Sequence, residues 1–197
     1  MKTIKDKQLL MGADWAGFPL KEAVKAHLEK KGWTITDVGV TTMGDQRDNT
    51  DLMFHRIGLR IGSLIAEGEF ERALVFCGPD GLDELGLAGP SHVAELAADG
   101  SVKEYDVDPQ ALFGATYPVD ALRGGAPAEN ARIAHDVLAG VEKGPYRLAA
   151  ALNGAAAIVA GGKAETLDAA LELAFRAIDS GAALGKLEAL VAASRQR

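Results

Sequence analysis

The sequence has little that is typical of secreted, membrane-bound or nucleic-acid-binding proteins. It contains one cysteine in 197 residues, so no internal disulfide can form, and a reducing cytoplasm is the simplest compartment. Lysine and arginine total 21 against 28 acidic residues, and the net charge of −7 argues against nucleic acid or an acidic membrane as a partner. The longest apolar run, 148–160, is interrupted by Asn153 and Gly154 and is too short to cross a bilayer. These absences predict a cytoplasmic protein without nucleic-acid or membrane partners.

The composition that is present belongs to an ordinary globular protein. Apolar residues make up 48% of the chain and charged residues 25%, which is enough for a sizeable buried core. The length suits one domain better than two, and no linker-like segment divides it. We therefore expect residues 1–197 to form a single α/β domain.

The first part of the chain alternates between strand and helix patterns. Short β-branched or apolar runs predict strands, and apolar residues at helical spacing predict helices between them. The strands are expected at 8–12, 33–38 and 73–77, and the helices at 19–31 and 52–66. Residues 73–77 are apolar throughout, which favours a central parallel strand covered on both faces. Right-handed crossovers would then place the first strand between the second and the third.

The pattern changes after residue 77. An acidic, glycine-rich loop at 79–90 precedes two strands, 93–96 and 102–107, whose connection contains Asp99-Gly100, a hairpin signal. Helices are predicted at 130–138, 146–160, 166–180 and 183–193. The predicted fold is thus a three-layer α/β fold with a mostly parallel sheet, an added antiparallel hairpin and a helical C-terminal part. The strand order after Cys77 stays open.

Three short motifs occur in order within the first 78 residues. They are GADWAGF at 12–18 followed by Leu20-Lys21, DVG at 37–39, and FCG at 76–78. In this order and spacing the segment resembles the N-terminal half of type B ribose-5-phosphate and galactose-6-phosphate isomerases. The resemblance implies that Asp14 helps to hold a sugar phosphate and that Cys77 is the base moving a proton between adjacent carbons. Without it, Asp14 is a turn or helix-capping residue and Cys77 a small buried residue ending a strand.

The segment departs from the isomerase pattern at two places. Trp15 stands where the family usually has histidine, and Cys77-Gly78 runs into PDGLDE at 79–84 in place of a threonine- and glycine-rich loop. An enediolate intermediate needs N–H donors beside it, whereas acidic side chains repel it. The resemblance therefore implies only part of an isomerase site.

A second series of motifs runs through the rest of the chain. It consists of DGLDE at 80–84, LRGG at 122–125, KGP at 143–145, LN at 152–153 and IDSG at 178–181. With these motifs residues 80–197 resemble the C-terminal part of anthranilate phosphoribosyltransferases. The resemblance implies that Asp83 and Glu84 bind Mg²⁺ on phosphoribosyl pyrophosphate, and adjacent carboxylates suit that hard cation. The alternative is a solvated acidic loop.

The other parts of the transferase site have no counterpart in this sequence. In that family a glycine-rich loop holds the pyrophosphate, and a helical domain binds anthranilate and forms the dimer. We therefore expect no required cofactor, weak Mg²⁺ binding at Asp83 and Glu84, and a monomer or weak dimer. The histidines lack the spacing of metal ligands.

The join between the two resemblances falls at an apolar strand that either family could supply. Natural fusions usually join whole domains through linkers, so this position favours an engineered chimera over a natural fusion. Each parent contributes a remnant of its site, and function depends on the assembled site. We therefore expect a catalytically inactive chimera. The alternatives are residual ribose-5-phosphate binding or isomerisation at Asp14 and Cys77, and weak binding of Mg²⁺–phosphoribosyl pyrophosphate at Asp83 and Glu84.

Overall fold

The computed structural model describes residues 7–12, 18–41, 60–64, 72–79, 84–97 and 99–194. The chain divides into two compact units, residues 1–71 and 72–197. The division falls just before the strand at which the two resemblances meet. That both units form one domain stays a prediction.

The first unit contains two parallel strands and a helix. Strand β1 is Gln8–Met11, helix α1 is Phe18–Lys30, and strand β2 is Thr34–Asp37. β1 and β2 pair in parallel, with Gln8 opposite Thr34 and Met11 opposite Asp37. These elements confirm the strand–helix–strand pattern expected from the sequence. Residues 60–64 are helical, and the rest of the helix predicted at 52–66 lies outside the described residues.

The second unit begins with an antiparallel sheet of three strands. Strands β3 (Ala73–Cys77), β4 (Ser91–Leu96) and β5 (Val102–Val107) lie in that order. The hairpin of β4 and β5 confirms the prediction. Its turn is closed by hydrogen bonds from the Gly100 amide to the Ala97 carbonyl and from the Ser101 amide to Asp99 Oδ1, both 2.9 Å.

The place predicted for β3 is wrong. In the described sheet of the second unit it lies at one end and pairs antiparallel with β4. Val75, in the middle of β3, is 56% exposed, so the strand is not covered on both faces. A run of five apolar residues does not distinguish a central parallel strand from a strand at the end of an antiparallel sheet. The position of β3 depends on which strand it pairs with, and in the structure that strand is β4.

The remainder of the second unit is helical. The helices are α2 (Pro109–Phe113), a 3-10 turn (Val119–Leu122), α3 (Pro127–Leu138), α4 (Pro145–Ala160), α5 (Leu167–Asp179) and α6 (Ala182–Ser194). The four long helices confirm the prediction. The sequence analysis missed α2, which is too short for periodicity. Its signals are the Asp108 side chain, which accepts a hydrogen bond from the Gln110 amide at 2.9 Å, and Gly114, which ends the helix with φ of 73°.

The core of the second unit lies between the sheet and α4. Val93 of β4 and Val107 of β5 are buried against Leu152 and Ala156 of α4. Small residues on α4 and α5 let these two helices pack in a second cluster. The described residues thus form an α/β fold with a parallel strand pair, an antiparallel three-stranded sheet and a helical C-terminal region, the class predicted from the sequence.

Candidate functional site

Two of the four residues predicted for a site lie within the described part of the chain. Asp14 and Asp83 lie outside the described residues. Cys77 ends strand β3, and the exposed Glu84 begins the described part of the loop before β4. No group of three or more His, Cys, Asp or Glu residues in the described ranges could hold a metal ion. The proposed roles of these four residues therefore stay predictions.

Cys77 lies on the outer face of the antiparallel sheet. It is a free cysteine with an exposed side chain, so the interpretation of Cys77 as a buried small residue is wrong. Side chains alternate between the two faces of a strand, and Phe76 faces the buried cluster. Cys77 faces the opposite way, together with the exposed Val75.

His92 occupies the position on β4 directly opposite Cys77. In the same register Asp106 of β5 lies opposite His92. His92 Nδ1 is 3.0 Å from Asp106 Oδ1, and its Nε2 is 3.8 Å from Glu104 Oε2. Directly opposed residues of an antiparallel sheet share a face, so Cys77, His92 and Asp106 form one row across the three strands. The sequence analysis missed this row because it depends on the register.

The loop that carries Glu84 is fixed to helix α4. Leu85 is buried, and its amide donates to Asn153 Oδ1 at 2.9 Å while Asn153 Nδ2 donates to the Leu85 carbonyl at 3.1 Å. The Gly86 amide donates to Ser91 Oγ at 2.9 Å. The residue that follows the 80–84 motif therefore contacts the motif at 152–153. The exposed carboxylate of Glu84 projects from the end of an anchored loop.

The Arg123-Gly124-Gly125 segment connects the 3-10 turn to α3. Asn130 closes it: the Gly125 amide donates to Asn130 Oδ1 at 2.7 Å, and Asn130 Nδ2 donates to the Gly125 carbonyl at 3.1 Å. A Cβ atom on Gly124 would lie 2.5 Å from Asn130 Oδ1, so glycine is required for this close approach. The Arg123 guanidinium pairs with Asp120 at 2.7 Å.

A buried charge cluster joins two motifs of the first unit. Lys21 of α1 is 5% exposed as a whole residue, and the side chain of Asp37 of β2 is 6% exposed. Lys21 Nζ forms an ion pair with Asp37 Oδ2. Lys25 Nζ lies 3.1 Å from the same oxygen, and the Gly39 amide donates to Asp37 Oδ1 at 3.1 Å. The sequence analysis quoted Leu20-Lys21 and Asp37-Val38-Gly39 as motifs without predicting that they touch.

The cluster is held in its charged state. Burial of Asp37 opposes ionisation, but hydrogen bonds from Lys21, Lys25 and the Gly39 amide outweigh it and lower the pKa of the carboxyl below its ordinary value. Burial likewise disfavours the charged Lys21, yet its contacts with Asp37 and Glu22 raise the pKa of this ammonium group. The cluster therefore fixes α1 against β2 at neutral pH.

None of the helices in the described ranges is long and apolar enough to cross a membrane.

Two family profiles match the chain, and they overlap. The family described as Glycosyl transferase family, a/b domain matches residues 51–184, and the family described as Ribose/Galactose Isomerase matches residues 9–81. Both resemblances predicted from the sequence are thereby confirmed. The transferase match begins well before residue 80, so residues 51–81, including β3, match both families.

The larger part of the chain is similar to individual anthranilate phosphoribosyltransferases. The enzyme from Desulfosudis oleivorans is 46% identical over 120 residues, covering 61% of this chain and 35% of that protein. The enzyme from Thermomicrobium roseum is 46% identical over 132 residues, covering 66% of this chain and 38% of that protein. The chain thus spans little more than a third of the length of these relatives.

Two solved structures of anthranilate phosphoribosyltransferases are also similar to this chain. Anthranilate phosphoribosyltransferase from Thermus thermophilus superposes with a TM-score of 0.56 and 32% identity, over 81% of this chain and 42% of that one. The enzyme from Saccharomyces cerevisiae in complex with 4-fluoroanthranilate gives 0.60 and 22% identity, over 72% and 40%. With a glycosyl transferase a/b profile over residues 51–184, which overlaps the isomerase match over 9–81, the chain belongs to the glycosyl transferase family that contains this a/b domain.

Proposed function

We propose that this chain is a recombined protein in which an isomerase-like segment and a transferase-like a/b part share one chain, and that it turns over neither parental substrate. The two parts are joined at β3, a strand that matches both families. The joined chain folds but has no catalytic role. Deliberate recombination accounts for a join inside a strand better than natural fusion does.

The position of Cys77 carries this proposal. In open parallel α/β sheets, ligands bind in the crevice beyond the carboxyl ends of the strands. β3 instead pairs antiparallel with β4, and its cysteine lies on an exposed sheet face. A proton shuttle between two sugar carbons must be held within hydrogen-bond reach of its substrate, with water largely excluded. An exposed sheet face provides neither condition.

An isomerase assay tests the proposal. Purified protein with ribose 5-phosphate is expected to give no interconversion above a buffer blank, and Cys77→Ala is expected to behave in the same way. A Cys77→Ala variant with the same melting temperature as the parent serves as the matched control for contaminating isomerase. Turnover that disappears in this variant contradicts the proposal and supports residual isomerase activity at Asp14 and Cys77.

A second candidate function is binding of Mg²⁺ with a diphosphate at Asp83 and Glu84. Two observations favour it. Leu85, next to Glu84, is anchored to α4 through Asn153, so the Glu84 carboxylate needs little ordering on binding. A Saccharomyces cerevisiae anthranilate phosphoribosyltransferase variant with Mg bound superposes with a TM-score of 0.59 at 23% identity. Mg²⁺ usually binds through one or two carboxylates and substrate phosphates.

Calorimetry with phosphoribosyl pyrophosphate and Mg²⁺ tests this second function. If the loop binds the pair, heat is released only when both ligands are present, and Asp83→Asn abolishes it. The matched control is Asp120→Asn, since Asp120 is an exposed aspartate that pairs with Arg123 in the same unit. Equal heats for Asp83→Asn and Asp120→Asn exclude a site at this loop.

A further inference from the structure

We propose that the cleft between helices α3 and α4 binds a small uncharged apolar molecule, about the size of two fused rings. The cleft lies within the second unit and is lined by residues of both helices and by Gly124 of the turn before α3. Binding there needs no catalysis, so the inference is independent of the proposed absence of turnover.

The dimensions of the cleft suit a small molecule. Its volume is about 390 Å³, which falls among the roughly 300–1,000 Å³ of pockets that hold small ligands. It runs from Ile133 to Leu138 on α3 and from Tyr146 to Ala150 on α4. At a rise of about 1.5 Å per residue, these stretches are only ~6–7.5 Å long. A docked helix uses anchors spread over about two turns, so the cleft is too short for a partner helix.

The lining of the cleft is apolar. Val137 is buried at its floor, Ile133 and Leu138 are half-buried, and Ala134 and Ala150 are exposed at its mouth. None of the described residues that line it carries a charge. A charged ligand would lose its hydration on entering and would gain no ion pair in return. The lining therefore selects an uncharged apolar ligand.

The turn at 123–125 already engages the polar side chains among the described lining residues. Asn130 accepts a hydrogen bond from the Gly125 amide at 2.7 Å and donates one to the Gly125 carbonyl at 3.1 Å. The Tyr146 hydroxyl donates to the Arg123 carbonyl at 2.8 Å. A ligand thus meets mainly the apolar parts of these two side chains, and hydrogen-bonding groups of its own add little affinity.

The same contacts form one end of the cleft before a ligand arrives. Gly124 belongs to the lining, and a Cβ atom on it would lie 2.5 Å from Asn130 Oδ1, so the turn and α3 are in close contact. The hydrogen bond from Tyr146 joins α4 to the same turn. A site held in this way needs little ordering on binding, which preserves affinity. Water in an apolar cleft has few hydrogen-bond partners, so a ligand displaces it readily.

Titration of the full chain with neutral aminonaphthalene tests the site, because the fluorescence of this probe rises in apolar surroundings. The parent is expected to enhance the emission until the site is saturated. Ala134→Leu on α3 and Ala150→Leu on α4 alter opposite walls at exposed positions. Each should weaken binding about tenfold or more, because the added side chain overlaps the ligand.

The matched control is Ala157→Leu, the same substitution at an exposed alanine of α4 about two turns beyond Ala150. It should bind the probe as the parent does, which separates filling of the cleft from a general gain in surface hydrophobicity. An aminonaphthalene sulfonate, which carries the same rings and a negative charge, should bind the parent more weakly than the neutral probe.

Three results overturn the proposal: no saturable enhancement with the parent, parental affinity in both cleft variants, or tighter binding of the sulfonate than of the neutral probe. The melting temperature of each variant shows whether its fold is intact. If one cleft variant fails to fold, the other, on the opposite wall, decides the question.

Discussion

Single residues hold the first unit together through charge. Lys21 and Asp37 are sixteen positions apart and belong to two separate motifs, and their contact forms only when α1 returns along β2. The sequence showed both residues and their motifs but gave no periodicity that pairs them. Charged groups are seldom fully buried, so composition alone favoured placing both on the surface.

Replacement of Asp37 by asparagine is expected to lower the stability of the first unit. Lys21 would remain buried without its carboxylate, and breaking a buried ion pair costs roughly 3–5 kcal/mol. Thermal unfolding followed by tryptophan fluorescence measures the change, because both tryptophans, Trp15 and Trp33, belong to residues 1–71. Asp120→Asn, in an exposed pair with Arg123, should cost less than about 1 kcal/mol.

The same pair predicts an acid dependence. The pKa of Asp37 is lowered in the folded chain, so its contribution is complete above the unfolded value of about 3.9 and is lost as pH falls through the folded value. Below about pH 4 the parent and Asp37→Asn should therefore converge in stability. A constant difference between them down to pH 2 would show that the carboxylate charge is not responsible.

At the scale of elements, the sequence predicted type and extent better than partners. The four long helices and the hairpin were recognisable because each carries a period, a turn dipeptide or a glycine end signal. β3 was recognised as a strand but assigned to the wrong sheet. Its five apolar residues fit either a parallel or an antiparallel neighbour, and nothing local to residues 73–77 selects β4.

For the candidate site, too, the sequence predicted individual residues better than their partners. The motif residues Asp83, Glu84 and Cys77 could be named from the chain alone, whereas the row of Cys77, His92 and Asp106 required the β3–β4–β5 register. A slip of one residue in β4 would turn His92 to the opposite face. Local sequence therefore supplies the chemistry of each group, and strand pairing decides which groups meet.

For the whole molecule, the open question is whether its two units unfold together. Both hydrophobic clusters of the described residues belong to residues 72–197, with Leu152 fully buried in one of them. The described part of the first unit depends instead on the Lys21–Asp37 cluster and on its two-stranded sheet. The single domain predicted from the sequence requires the two units to unfold together in one cooperative transition.

Hydrogen exchange measured by mass spectrometry on the full chain distinguishes the two cases. Leu152→Ala should cost about 2–5 kcal/mol, because it leaves a cavity beside Val93 and Ala156. Proteins open in contiguous cooperative units, so exchange should accelerate throughout β4, β5, α4 and α5. Since the chain divides into two compact units, we expect the amides of α1 and β2 to keep their parental rates.

Asp37→Asn is the reciprocal variant, and it should accelerate exchange in α1 and β2 while leaving α4 unchanged. The pair of variants controls for a general loss of stability, since each destabilises a different unit by a similar amount. If either variant accelerates exchange in both units equally, the whole chain opens as one cooperative body. The single domain predicted from the sequence would then hold, with the join at β3 lying inside a shared folding unit.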